Sequence, residues 1–298
     1  MKEFVTPKQV ARALQVSESS VKRWCDKGVI ASQKTAGGHR RIPLAKLLDF
    51  LRESDRTLLR PEVIGLPATT GQTRRVVDRA AQRLTEALVT GDEDQCRRII
   101  LDLYLADHSI SRICDDVLAP AFESIGEQWD CGQAQVYQER RACEIALRIL
   151  HEIRGLISAP PPSAPLALGG TVEGDPYELG TTMVELVLRN NRWNAVSLGN
   201  NLPFTTLAQA IEDHRPSLFW ISCSHMGDEL EFVTGYKALY EQFGRDVPFV
   251  VGGRSLVDSI RQQMKYAAYC DNMQHLEAFA QTLRAAREPL PQRIAAPG

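Results

Sequence analysis

The chain has no apolar run near the roughly 20 residues that a membrane-spanning helix needs, and it has no Cys-x-x-Cys pair. The first absence argues against a helical membrane protein, the second against a zinc ribbon or a thioredoxin-type redox site. The seven cysteines (Cys25, Cys96, Cys114, Cys131, Cys143, Cys223 and Cys270) are scattered and odd in number, and read as buried free thiols. The opening residues, Met1-Lys2-Glu3-Phe4, do not form a secretory signal, so the expectation is a cytoplasmic protein with no membrane partner. No nucleophile–base motif and no clustered acid pair stands in a motif context, so no enzyme is expected. A strong overall charge is missing as well. The net charge is −2, but residues 1–53 hold eleven Lys/Arg against five Asp/Glu, which is +6, and leave −8 for the rest. A basic head on an acidic body suggests that only the head meets a polyanion.

What is present suits a globular protein of two or three domains: 298 residues, 44% hydrophobic and 24% charged. Thr6 can cap a first helix with Pro7 at its first position and Val10, Ala11 and Leu14 on one face. Ser17 can cap a second, Glu18 to Asp26, which Gly28 ends. The pair reads as a helix-turn-helix. Its second helix turns Ser19, Ser20, Lys22 and Arg23 outward and buries Val21 and Trp24. Val29-Ile30-Ala31, the polar tip Gly37-Gly38-His39-Arg40-Arg41, and Ile42 read as a β-hairpin wing. Pro43 opens a third helix with Leu47, Leu48 and Leu51 inward.

Residues 1–53 resemble the winged helix-turn-helix of the MerR superfamily. The resemblance rests on Thr6 to Leu14, on Ser17-Glu18-Ser19-Ser20-Val21-Lys22-Arg23-Trp24, and on Gly37-Gly38-His39-Arg40-Arg41. It implies a recognition helix in the major groove of double-stranded promoter DNA and wing residues on the phosphates. The expected DNA-binding set is Ser19, Ser20, Lys22, Arg23, His39, Arg40 and Arg41.

Residues 54–72, with Pro61, Gly65-Leu66-Pro67 and Thr69-Thr70-Gly71-Gln72, read as a linker. Residues 73–158 show helical spacing in four segments and predict a four-helix bundle. Ala159-Pro160-Pro161-Pro162-Ser163-Ala164-Pro165 reads as a semi-rigid spacer. In residues 166–288 helices alternate with the apolar runs 166–170, 195–198, 218–222, 248–251 and 267–269. That is the pattern of a parallel five-stranded sheet, with 289–298 left as a tail. The fold class expected is therefore multidomain α and α/β.

Between the first of these strands and its helix lies Gly170-Thr171-Val172-Glu173-Gly174-Asp175-Pro176-Tyr177-Glu178-Leu179-Gly180. Its Asp-x-Tyr-x-x-Gly resembles the Asp-x-His-x-x-Gly signature of cobalamin-binding, flavodoxin-like domains. In that family the histidine binds cobalt from below, and the aspartate holds its second ring nitrogen. Tyrosine binds metals as phenolate, with an unperturbed pKa of about 10. Ser197-Leu198-Gly199 and Gly252-Gly253 match two further marks, the latter where the family's nucleotide tail passes close to backbone. Whole-chain order resembles light- or cobalamin-responsive regulators of the CarH/LitR kind, and MlrA-type regulators that keep the layout without a working cobalamin site. The photoreceptors' Trp-x(9)-Glu-His motif, which caps the upper face of cobalamin, is here Trp129, Glu139 and Arg140. A histidine that can follow the tryptophan is here Asp130.

The resemblance thus implies a degenerate ligand pocket of Trp129, Glu139, Arg140, Asp175, Tyr177, Gly180, Ser197, Gly252 and Gly253. No cofactor is committed to, and no metal. Cobalamin held through its tail and ring edges stays open, as does a ligand from His225 or a haem iron on Tyr177. The reading is a transcription regulator, dimeric or tetrameric, whose back half controls oligomerisation, with ligand sensing left open, and works without cobalt ligation. The alternatives are a cobalamin-dependent light-responsive repressor and a corrinoid carrier for methyl transfer.

Overall fold

A computed structural model describes residues 3–54, 56–66, 77–131 and 135–287, without the side chains of Asp78 and Asp130. Arg74 to Val76, expected to lead the first bundle helix, Ala134, part of the expected linker and the expected tail fall outside these. The chain divides into two compact units, residues 1–159 and 160–298.

The first unit opens with β1 (Phe4–Val5), α1 (Pro7–Leu14), α2 (Glu18–Asp26), β2 (Gln33–Lys34), β3 (Arg40–Pro43) and α3 (Leu44–Glu53). Thr6 and Gln9 form a reciprocal capping box at α1, and Ser17 caps α2 through Ser20 N–H, 3.1 Å away. The three short strands pair antiparallel in the order β1-β3-β2. Val29-Ile30-Ala31 does not form the first strand of the wing. The amides of Val29 and Ile30 donate back to Trp24 O at 2.9 and 3.3 Å, which closes α2, and Gln33–Lys34 takes the strand instead. Val10, Val21, Ile30, Ile42, Leu47 and Leu48 are fully buried between these elements. Residues 58–66, read as linker from their turn residues, bury Leu58, Ile64 and Leu66, and the amides of Leu59 and Arg60 both donate to Ala13 O on α1.

Four helical segments follow: α4 (Val77–Thr90), α5 (Glu93–Leu105), the run α6 (Ile110–Ile113) to α7 (Ala119–Asp130), and α8 (Val136–Arg154). Cys114–Leu118 between α6 and α7 is one π turn, in which Ala119 N–H reaches Cys114 O. Pro120 follows it, and proline has no N–H to continue an α ladder, so the wider turn falls where that ladder is already weakened. Arg52 on α3 holds the head to the bundle. Its guanidinium lies 4.3 Å from the Tyr104 ring, and its Nε donates to Asp107 at 3.2 Å. Ser158 also donates to Asp49 on α3.

Arg97 ties α5 to α8 with a bidentate pair to Glu152 (2.8 and 3.0 Å), and it also bonds Glu93 at 2.8 Å. Arg148 completes the cluster on Glu93 at 2.8 Å. Those hydrogen bonds and charges, Arg148 first, hold the Glu93 carboxyl below its usual range. A lowered carboxyl stabilises the fold above its ordinary value and ceases to as pH falls through its folded one. Hydrogen bonds to charged groups contribute about 1.5–3 kcal/mol, less where water shares them. Arg97→Ala should therefore cost about 1–2 kcal/mol near neutral pH and less at acid pH, measured by thermal melts across that range.

In the second unit β4 (Leu166–Thr171), β5 (Asn194–Ser197), β6 (Leu218–Ser222), β7 (Phe249–Gly252) and β8 (Ala268–Cys270) form a parallel sheet in the order β5-β4-β6-β7-β8. Each lies within one residue of its sequence-read position. The helices are α9 (Leu179–Asn190), α10 (Phe204–His214), α11 (Glu229–Phe243), α12 (Asp258–Arg261) and α13 (Met273–Arg287). On one face Leu168, Phe219, Ile221, Phe249 and Val251 pack against Leu207 and Ile211 of α10, Phe232 and Tyr236 of α11, and Ile260 of α12. α9 and α13 lie on the other side. The strand order reverses between β4 and β6, so the loops that leave those two strands flank the crevice where doubly wound folds hold ligands.

Candidate nucleic-acid interface and ligand pocket

The head presents two basic elements. On α2, Ser19, Lys22 and Arg23 are exposed and Ser20 is half-buried, while Val21 is fully buried below them. Lys22 pairs with Glu18 at 2.8 Å, one turn earlier on the same helix. Trp24 is half-buried, its ring 5.3 Å from Phe50 and 4.7 Å from the Arg56 guanidinium, so it packs α2 onto α3. At the wing tip Thr35 N–H donates to His39 O (2.9 Å) and Gly38 N–H to Thr35 O (2.8 Å). His39 and Arg41 are exposed there.

Arg40 differs from its neighbours. Its guanidinium turns back to Asp26 at the end of α2, in an ion pair that the sequence reading missed because the partners lie fourteen residues apart. The pair joins the wing to the end of α2, and one wing cation is thereby partly neutralised. Asp26→Ala should therefore raise affinity for non-specific duplex DNA several-fold at low salt, and Arg41→Ala should lower it and reduce the salt slope by about one. Fluorescence anisotropy over a salt series checks both.

In the second unit Asp175 is fully buried, and its carboxylate is committed to backbone. Oδ1 accepts from Tyr177 N–H at 3.1 Å and Oδ2 from Ser224 N–H at 2.6 Å, so it joins the loops after β4 and β6. The half-buried Tyr177 ring lies 5.4 Å from the Arg254 guanidinium, which also donates to Ser224 O at 3.0 Å. His225 is exposed in the loop after β6. Among the described residues no three His, Cys, Asp or Glu side chains gather as a metal site. Cobalt ligation through residue 177 needs a neutral nitrogen donor and a carboxylate that orients it. The chain offers a phenol in place of that nitrogen, so these residues do not fit that ligation.

The remaining pocket positions ring the switch point. A Cβ on Gly180 would stand 2.7 Å from Ser222 Oγ, and one on Gly252 would stand 2.9 Å from Cys270 O. Gly253 has φ +111°, and a Cβ there would meet Cys223 O at 2.3 Å, so only glycine suits that turn. Ser197 Oγ lies 3.2 Å from Thr181 Oγ1. Thr181 in turn accepts from the indole Nε1 of Trp220 at 2.9 Å. Trp220 and Thr181 were both missed, because nothing within the apolar strand marks the face Trp220 takes, and its partner Thr181 lies 39 residues away on α9.

In the first unit Trp129, at the end of α7, is 47% exposed. Glu139, in the first turn of α8, is half-buried, and Arg140 beside it is exposed. Val136 and Tyr137 on that turn are exposed too. Asp130 belongs to α7, and its side chain falls outside the description. Of the thiols, burial pushes Cys96 and Cys223 up to about 12 and Cys270 up to about 11. Cys96, Cys114 and Cys223 are buried, as expected, whereas Cys25, Cys143 and Cys270 are half-buried and Cys131 is exposed, against the expectation of buried thiols throughout.

Residues 4–55 match the family of helix-turn-helix domains, and residues 80–153 and 165–285 match two families described as B12 binding domains. The chain is thus a DNA-binding regulator that carries B12-binding-type domains, in the order the sequence led us to expect. It is similar to the HTH-type transcriptional repressor CarA of Myxococcus xanthus, 22% identical over 93% of this chain and 96% of that protein. It is also similar to methionine synthase of Mycobacterium tuberculosis, 26% identical over 51% of this chain but only 12% of that enzyme. Among solved structures the monomethylamine corrinoid protein of Methanosarcina barkeri superposes with a TM-score of 0.60, over 70% of this chain and all of that one. At 16% identity this likeness concerns the fold alone. Among the described residues no helix is long and apolar enough to cross a membrane.

Proposed function

We propose that this protein regulates transcription by binding double-stranded promoter DNA through residues 1–53 as a homodimer or homotetramer, and that its back half governs that self-association. It acts in the cytoplasm, catalyses no reaction, and does not depend on cobalt ligation. The working division is a head (1–53), a bundle (73–158) and an α/β domain (166–288). The observation that carries the reading is the head. Its α2 exposes Lys22 and Arg23, its wing exposes His39 and Arg41, and its surplus of basic residues stands against an acidic remainder. The back half is read as insensitive to cobalt because residue 177 is a phenol where the ligation needs a neutral nitrogen. A corrinoid carrier shares the fold of the back half, but it has no use for this head.

Two measurements test the proposal. A chain starting at Val77 should lose promoter binding that the full chain shows in gel-shift and anisotropy assays. If that shortened chain binds as tightly, the head is not the DNA reader. Light scattering after gel filtration should give an oligomer of one mass in darkness and after blue-green illumination, with or without adenosylcobalamin. A light-dependent change of mass would favour the light-responsive repressor instead.

A further inference from the structure

Below the switch point between β4 and β6, the space between the sheet and α9 is filled by one ring. Gly169, Trp220 and Ser197 are cross-strand partners on β4, β6 and β5, so they form one row across three neighbouring strands. Trp220 is 1% exposed, and its Nε1 bond to Thr181 turns the indole to the side of the sheet that α9 covers. The ring lies over Gly169. A Cβ on that glycine would stand 2.3 Å from Trp220 Cδ2 and 2.4 Å from Cγ. At the far end Thr181 meets Ser197, and Gly180 beside it lies against Ser222. The result is a slot for one flat bicyclic ring, floored by a glycine, capped by a hydroxyl pair, and occupied by the chain's own indole.

We infer that Trp220 is a specificity-determining plug, which occupies the slot of the α/β unit that would otherwise accept the flat heteroaromatic base of a cobalamin nucleotide tail. Indole and benzimidazole are fused five–six ring systems of nearly equal size, so one excludes the other from the same space. The slot lies beneath the crevice where α/β sheets take ligands, with Ser197, Thr181 and Gly180 at its end. The inference goes beyond the proposed regulation of DNA. It states which part of a corrinoid this unit rejects and which residue rejects it, and it stands whether or not the head binds DNA.

The first test uses the full wild-type chain and needs no variant. Adenosylcobalamin and adenosylcobinamide, which lacks the nucleotide tail, are compared by equilibrium dialysis. Affinities that agree within about threefold are expected, as is no retention of either, because the tail finds no slot; a preference for cobalamin beyond about tenfold overturns the inference. The second test opens the slot. Trp220→Ala should lower Tm on the order of 10 °C, and millimolar 5,6-dimethylbenzimidazole should restore several degrees of that loss while leaving wild type unmoved. Trp220→Phe, which keeps the slot mostly filled, should lose less and gain nothing from the base. A Trp220→Ala chain as stable as wild type, or one that folds yet ignores the base, overturns the inference.

Discussion

Arg23→Ala should weaken operator binding by about 1–3 kcal/mol, roughly fivefold to 150-fold, and narrow the gap between operator and random duplex. Arg23 is exposed on α2, above a fully buried Val21 that fixes the helix's rotation. Among the described residues no acid pairs with it, whereas Lys22 shares Glu18. A guanidinium with both edges open can take two acceptors of one guanine, and alanine loses both. Arg41→Ala in the same background should add a nearly sequence-independent loss. Competition anisotropy with operator and scrambled duplexes separates the two effects. If Arg23→Ala lowered both affinities equally, the arginine would be a phosphate contact and the recognition face would lie elsewhere on α2.

The second large effect is expected at Asp175. Asp175→Ala should destabilise the second unit by about 3 kcal/mol, and lower its Tm by about 6–12 °C, because two hydrogen bonds to a carboxylate are lost together. The amides of Tyr177 and Ser224 then have only water to bind, in loops folded around a fully buried side chain. Asp175→Asn should not rescue the loss, since one end of the amide group is a donor facing a donor. Calorimetry of Asp175→Ala decides the first point. A variant as stable as wild type would mean that the carboxylate is spare, and free to orient a ligand after all.

The features legible in the sequence were those with a local cause. Thr6 and Ser17 stand where their side chains meet amides three residues on, and both cap as expected. The five strands of the second unit were readable because each is a short apolar run bounded by turn residues. The features not legible depend on partners far along the chain. Val29-Ile30-Ala31 has strand composition, but Trp24 O captures two of its amides. The Arg40–Asp26 pair, the Arg52–Tyr104 contact and the Trp220–Thr181 bond join residues with no shared local pattern. The loss of the histidine at 177 was plain from the signature. Where the carboxylate of Asp175 goes instead was not, because backbone amides leave no trace in side-chain spacing.

The seat of α3 on α5 bears on how operators can be spaced. With Arg52 held at Tyr104 and Asp107, and Asp49 held by Ser158, the head of residues 1–53, proposed to read DNA, is tied to the bundle rather than to a free hinge. Two copies bound side by side would read half-sites at one fixed separation and one helical phase, about 10 base pairs per turn. Inserting half a turn of DNA between half-sites should abolish paired binding, and a full turn should restore little of it. Loosening the seat with Arg52→Ala should widen the range of spacings accepted while each single half-site keeps its affinity.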